Sequence, residues 1–362
     1  MEDRESASRY VFLDYLRATA AWLVVWDHLG TIIPGWSGRV FPPAQWVRNN
    51  ITGPLGVIQD FGWFGVALFF LISGFIISDR ARVESAFEFV VRRVLRIYPM
   101  LAVAVLLSAA FVAAKSQATP HNLFLNLTLA NYVVVPQVAL LGVAWTLVIE
   151  VIFYAVTAAT QFARGSPHRI AVNLALAAFA IWKRGAFGES FALFAVAASY
   201  LPILVMGQTV YWWLARKRLS ALWGLAYLAA AYGVFLWGMR AMHVEFLPLS
   251  NSYLVSVTYA LLAFIGIMHI QLPPQRVVRL LSDTSYSMYL LHGTVGYLIL
   301  VWLAPRTPLW MAILAAAAGS LAASYLAYRL VEKPSQRLGR YLTRARRSAS
   351  ATSLPASSTP RA

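Results

Sequence analysis

The stretch LDYLRATAAWLVVWDH, Leu13 to His28, decides the fold. It lies in an apolar run from Val11 to Ile33 that is long enough to cross a bilayer, yet it carries Asp14, Arg17, Asp27 and His28. An ionisable side chain at the centre of a membrane helix costs about 2.5–3.5 kcal/mol on insertion scales, so each of these needs a partner or a use. Arg17 and His28 are eleven positions apart. At about 100° per residue that is three turns and about 20°, so both leave one helix face, about 16 Å apart along the axis. Asp14, three residues before Arg17, is close enough to pair with it. Asp27 leaves on a different face from His28. Spacing alone leaves two readings open. Asp14 and Arg17 form a snorkelling interfacial pair beside a packed His28, or a charged group at one membrane surface is aligned with an imidazole deep in the span.

Working outward, the 362-residue chain is 60% hydrophobic and 12% charged, against about 25% charged in an average soluble domain. The expectation is an all-α, polytopic membrane protein at the inner or plasma membrane, with little length left for a soluble domain. Cysteine is absent, which removes disulfides and thiol catalysis. The six histidines are scattered, with no metal-ligand spacing, so no metal site is expected. A net charge of +16 raises nucleic acid as a partner. The Lys and Arg sit mostly in short segments between spans, which reads as membrane topology instead.

Ten spans are predicted, near 11–33, 61–79, 97–115, 139–162, 168–182, 189–212, 219–239, 252–271, 284–303 and 308–330. Residues 34–60, with four prolines, read as an irregular loop whose Trp36, Phe41 and Trp46 suit a membrane interface or a sugar ring. Residues 79–96 read as a charged linker, and 116–138 as a mixed segment with an interfacial piece. The N-terminal segment 1–10 shows no convincing cleavable signal. A transmembrane domain is expected over 11–334, and a basic, disordered tail over 335–362. Ten spans put both termini on one side. That side holds 22 Lys and Arg against seven opposite, so both termini are expected in the cytoplasm.

Four further segments carry candidate chemistry. Arg93 and Arg96 share a helix face at i and i+3, with Arg82 and Arg92 nearby. Such a cluster clamps a phosphorylated ligand or serves as an ordinary positive-inside anchor. Glu150 stands alone in the apolar AWTLVIEVIFY, beginning at Ala144, so its partner comes from another span. Catalysis and a structural pairing with a buried arginine both fit. SDTSYSMYLLH, 282–292, brings Tyr286 among several hydroxyls and ends on His292, which suits packing or substrate positioning. Glu332-Lys333-Pro334 closes the last span as a helix end. An enzyme, a secondary transporter or glycan flippase, and a non-catalytic scaffold all remain compatible with buried Glu, Arg and His.

LDYLRATAAWLVVWDHL (13–29), FGVALFFLISGFIIS (64–78), RRVLRIYP (92–99), WTLVIEVIFY (145–154), SDTSYSMYLLH (282–292) and VEKP (331–334) together resemble the acyltransferase-3 family of integral membrane acyltransferases, in its form without a fused periplasmic hydrolase domain. The six segments occur in family order over nearly the whole chain. The resemblance implies transfer of an acyl group, usually acetyl, from cytoplasmic acyl-CoA to a hydroxyl of a glycan, glycolipid or small glycoside. It implies that Arg17 and His28 match the family's spaced Arg and His, Arg93 and Arg96 its Arg-x-x-Arg pair, and Trp145 to Glu150 its Trp-Ser-Leu-x-x-Glu segment. Tyr15 stands where Gly is frequent, Thr146 where Ser is, and Val151 where a second acidic residue often follows. The expected mechanism puts the CoA phosphates on Arg93, Arg96 and Arg17 and the pantetheine arm along span 1. His28 then acts as general base, with a covalent acyl-histidine as the other route, and Glu150 orients His28 or holds the acceptor. Asp14, Trp145, Tyr286 and His292 bind substrate or support the site.

Overall fold

The computed structural model describes residues 10–111, 116–161, 167–242 and 252–352. Residues 1–9 of the N-terminal segment, Lys115, and the tail from 353 lie outside the described residues. Among the described residues every element is a helix and there is no strand. Helix α1 (Val11–Asp27) continues through a π turn at His28–Ile32 into α2 (Ile33–Trp36), so the chain is helical from 11 to 36. The loop that follows holds α3 (Pro42–Val47), a π turn at Arg48–Thr52 and a tight turn over 59–61. Then come α4 (Gly62–Val83), α5 (Ala86–Phe111), α6 (Pro120–Leu127), α7 (Trp145–Ala159) and α8 (His168–Trp182). They are followed by α9 (Glu189–Ala198), α10 (Leu201–Val210), α11 (Ala221–Met242) and α12 (Ser252–Met268). The chain ends with α13 (Arg276–Asp283), α14 (Ser285–Leu303), α15 (Leu309–Ala327) and α16 (Lys333–Thr352).

Among the described residues, seven helical runs are long and apolar enough to cross a membrane: 59–83, 86–111, 142–159, 189–215, 221–242, 276–303 and 309–345. Helices α8 and α12 are apolar but shorter. The charged α1 is not among the seven. Each of the ten segments expected to span contains a helix. Two expectations are corrected. Residues 79–96 are not a linker: α4 runs to Val83 and α5 starts at Ala86, and Glu88 and Ser85 exchange side-chain and backbone hydrogen bonds that start α5. The stretch after Glu332 is not irregular as far as Thr352, because α16 carries Leu338, Leu342 and Thr343 at helical spacing and lies along α5. There Thr343 accepts hydrogen bonds from Arg92 (3.0 Å from Nη2). Pro334 does not stop the chain. The π turn at Tyr328–Glu332 absorbs its missing N–H.

Helix α4 is the axis of the bundle, packed on α1, α10 and α12. Its contact with α10 is backbone to backbone. A Cβ on Gly74 would fall on the carbonyl oxygen of Leu204, and a Cβ on Gly207 on that of Leu71. Between apolar helices, with no hydrophobic force to draw them together, small residues allow the close approach on which van der Waals contact depends. Helix α14 packs on α15, α1 and α5, so α1, α4, α5, α7 and α14 surround the bundle's interior. Replacing Gly74 or Gly207 with Val is expected to cost about 3 kcal/mol, the upper range for overpacking. A thermal melt of the detergent-solubilised protein followed by size exclusion reads this, and an unshifted midpoint would contradict the close crossing.

Candidate active site

Two chambers adjoin inside the bundle. The larger, about 400 Å³, is lined by Asp27 and His28 at the end of α1, by Trp63 and Val66 of α4, Trp145 and Val148 of α7, and Tyr289 of α14, with Tyr132, Tyr200 and Tyr253 around them. The smaller, about 60 Å³, is lined by Arg17, Ser73, Arg96, Thr146, Glu150 and Tyr286. Val66 and Tyr289 belong to both walls. Helix α1 therefore carries an arginine in one chamber and a histidine in the next.

In the histidine chamber, His28 Nδ1 lies 2.9 Å from the Val24 carbonyl oxygen. A carbonyl only accepts, so Nδ1 carries the proton and Nε2 the lone pair. Nε2 has no hydrogen-bond partner among the described residues. His292, fully buried on α14, repeats the arrangement: Nδ1 is 2.9 Å from the Met288 carbonyl, and Nε2 is unpartnered. The two rings meet edge to face, with centroids 4.8 Å apart. Trp145 stacks on Trp63 at 5.9 Å with planes 10° apart. The Tyr289 hydroxyl donates to the Val143 carbonyl (3.0 Å) and accepts from Thr146 (3.0 Å), fixing the ring between the chambers.

In the arginine chamber Glu150 is satisfied by hydroxyls, and Glu332 nearby by a hydroxyl and an amide. Glu150 accepts from Ser73 and from Tyr154 (3.2 Å). Buried Glu332 accepts from Ser287 (2.6 Å) and from Gln336 (3.0 Å). Arg17 and Arg96 lie within electrostatic reach of each other and of Glu150. Neither guanidinium makes a hydrogen bond or ion pair among the described residues. Each has five N–H groups to give.

A model of the acyltransferase domain family, Acyl_transf_3, matches residues 10–329. The chain belongs to the acyltransferase-3 family. It is 25% identical over 368 aligned positions to nodulation protein 10 of Rhizobium leguminosarum bv. viciae, covering 90% of this chain and 93% of the relative. It is 29% identical over 301 positions to the exopolysaccharide production protein ExoZ of Rhizobium meliloti (strain 1021), covering 77% of this chain and 91% of the relative. No solved structure matches. Membership decides among the classes that buried Glu, Arg and His left open: this is a membrane-embedded acyltransferase, not a transporter or a scaffold.

Within this acyltransferase the nine residues singled out in the sequence separate. Arg17, Arg96, Glu150 and Tyr286 share the arginine chamber, and His28, Trp145 and His292 gather in and behind the wall of the other. Arg93 is turned away. It bonds Glu84 (3.2 Å) and lies over Phe89 and Tyr154, while Arg92 takes the other oxygen of Glu84 (2.9 Å). The expected Arg93–Arg96 clamp is thus divided, because Glu84 at the α4–α5 corner captures its first member. Glu150 does not meet His28 either; it belongs with the arginines. Asp14 accepts from Ser282 (2.8 Å) and ties α1 to α13. Tyr286 donates to the Ile97 carbonyl (2.9 Å), bracing α14 on α5. Sequence reasoning missed Ser73 and Tyr154, and counted Tyr289 only among the hydroxyls of its span. The i, i+4 spacing of Glu150 and Tyr154 was the available signal for one of them.

It also missed the turn that seats α4. Gln59, Asp60 and Phe61 have φ of 55°, 43° and 77°. Three consecutive non-glycine residues in the left-handed region cost about 1–2 kcal/mol each. Asp60, 2% exposed, holds them in place. It takes Arg48 Nη2 at 2.6 Å, Thr31 at 2.9 Å and Thr52 at 3.1 Å. The turn sets Gln59 and Gly62 at the wall of the histidine chamber. Asp60→Ala removes all three partners and is expected to cost about 3 kcal/mol at about 1 kcal/mol per bond. Chemical denaturation in detergent measures this, and a loss below about 1 kcal/mol would mean that other contacts hold the turn.

Proposed function

We propose that this chain is a membrane O-acyltransferase that moves an acyl group, acetyl in the first instance, from cytoplasmic acyl-CoA to a hydroxyl of a cell-envelope glycan or glycolipid. The observation that carries the proposal is the alignment of two chambers along α1, with guanidiniums open at one end and an imidazole Nε2 open at the other. The relatives' association with nodulation and exopolysaccharide production favours a glycan acceptor. The bias of Lys and Arg favours a cytoplasmic arginine end.

On this reading Arg17 and Arg96 hold an anionic part of the donor, and the pantetheine arm runs up α1 past Val66 and Tyr289. The roughly 16 Å from Arg17 to His28 sets the thioester beside Nε2. The acceptor hydroxyl gives its proton to Nε2 as its oxygen attacks the thioester carbon. The tetrahedral intermediate collapses with cleavage of the C–S bond, and the imidazolium returns the proton to the departing CoA sulfur. The Nδ1–H bond to Val24 orients the ring and fixes the tautomer this requires. Glu150 keeps the two arginines from repelling each other, so that an anion completes their neutralisation.

The test is transfer from radiolabelled acetyl-CoA by the purified full chain. His28→Ala should lower turnover about 10²–10⁴-fold, the usual worth of a general base. Near wild-type turnover would remove His28 from the mechanism. Arg17→Gln and Arg96→Gln should each raise the acetyl-CoA KM about tenfold, the equivalent of one charge-assisted hydrogen bond. Arg93→Gln should act mainly on thermal stability, since its bond is to Glu84. A KM effect confined to Arg93 would reverse the division of the pair.

A further inference from the structure

Asp27 is unused by the acyl transfer just described. It is 2% exposed, lines the histidine chamber, and its Oδ1 is sealed with no hydrogen-bond partner. Neither carboxylate oxygen makes a hydrogen bond or ion pair among the described residues. Arg48 does not serve it, because Asp60 engages that guanidinium through Nε and Nη2. Leaving a carboxylate buried and unpartnered costs several kcal/mol. The fold nonetheless makes room for it. A Cβ on Gly62 would fall on the Asp27 carboxylate, lying within 3 Å of its carbon atoms. The left-handed turn over 59–61 is what brings Gly62 there.

The rest of the wall says what kind of donor the carboxylate meets. No Lys or Arg lines the chamber, so nothing in it calls for an anionic ligand. Trp63, Trp145, Tyr132, Tyr200 and Tyr253 offer ring faces and edges, which suit the C–H face of a sugar. Gln59 and Gln137 are exposed where they line it. A volume of about 400 Å³ is in the range of small-molecule sites. Asp27 and His28 are consecutive, and both line this space despite leaving α1 on different faces, since the chamber wraps the end of the helix where the π turn begins.

We propose that Asp27 positions the acceptor: its carboxylate accepts a hydrogen bond from the hydroxyl adjacent to the one that attacks, so the acceptor is a neutral sugar or polyol with vicinal hydroxyls. This rests on the acyl-transfer reading of the chamber. The attacking hydroxyl faces His28 Nε2 and its neighbour faces Asp27. Recognition of the pair selects which hydroxyl is acylated.

The experiment uses the purified full chain with radiolabelled acetyl-CoA. Methyl glycosides of glucose, galactose and N-acetylglucosamine, with their monodeoxy analogues, serve as acceptors, and released acetate and acylated glycoside are counted separately. Wild type should acylate at least one glycoside. Asp27→Asn, which keeps the shape and replaces one carboxyl oxygen with an NH2 donor, should raise the KM for that glycoside at least tenfold with kcat changed less than threefold. The analogue lacking the adjacent hydroxyl should give wild type the same raised KM, and Asp27→Asn should add nothing to it. Gly62→Ala, which pushes a methyl group onto the carboxylate, should reproduce the effect independently. An unchanged glycoside KM in Asp27→Asn, or a fall in kcat alone, overturns the assignment. Acetate release by wild type with no glycoside acylated also overturns it while leaving acyl-CoA turnover standing. If wild type neither releases acetate nor transfers it, the acyl-transfer reading itself is overturned, and this inference with it.

Discussion

An ionised side chain inside an apolar bundle has to be neutralised, and the way this chain meets that requirement divides its charged residues into two groups. Some are closed by the protein itself: Arg92 and Arg93 by Glu84, Asp60 by Arg48 and two threonines, Glu332 by Ser287 and Gln336. These hold α4 to α5, seat the start of α4, and tie α14 to the end of α15. The others are left open at their hydrogen-bonding atoms. Among the described residues, Arg17 and Arg96 have none of their N–H groups bonded, His28 keeps Nε2 free, and Asp27 has no donor. These open groups line two adjoining chambers, and the closed ones lie outside their linings. The candidate site is where open groups of both signs gather around a cavity.

Much of this was legible in the sequence. Apolar runs of the right length mark the helices, since a backbone in lipid has few other solutions. The eleven-residue interval from Arg17 to His28 marks one helix carrying two candidate positions, and the structure places those residues in adjoining chambers. The division of Arg93 from Arg96 was not legible. Both lie on one face at i and i+3, and what separates them is Glu84, whose reach depends on how tightly α4 turns into α5. Glu150 illustrates the same limit. Its isolation in an apolar span announced a partner elsewhere, but not that Ser73 and Tyr154 would be the donors or that arginines rather than His28 would be the neighbours.

The turn at Gln59–Phe61 was invisible for a different reason. Left-handed backbone is usually announced by glycine or asparagine, and none of these three positions has either. The conformation is imposed by tertiary hydrogen bonds to Asp60, so local propensity argues against it. Strain of this kind persists only where surrounding contacts over-determine it. Helical phase separates Asp27 from His28, and the structure keeps them apart as a pair, since His28 Nδ1 bonds the Val24 carbonyl. What phase could not show is that both would line one chamber, which curves around the end of α1.

The sizes of the two chambers constrain how a long donor can be accommodated. The arginine chamber holds about 60 Å³ and the histidine chamber about 400 Å³. A nucleotide does not fit in the first, so on the proposed reading Arg17 and Arg96 meet only a slender anionic stretch while the adenosine stays outside the bundle. On the same reading the donor passes from one chamber to the other at the wall they share, Val66 and Tyr289, the latter with its hydroxyl pinned by the Val143 carbonyl and Thr146. The distance from the anionic end to the base is then set by the rise of α1 rather than by any loop. On that reading a donor is registered by one helix, and the acceptor enters a roomier space whose wall is seated by the Asp60 turn. Donor geometry then follows from the rise of α1, and acceptor choice from the strained turn over 59–61 that shapes the chamber wall.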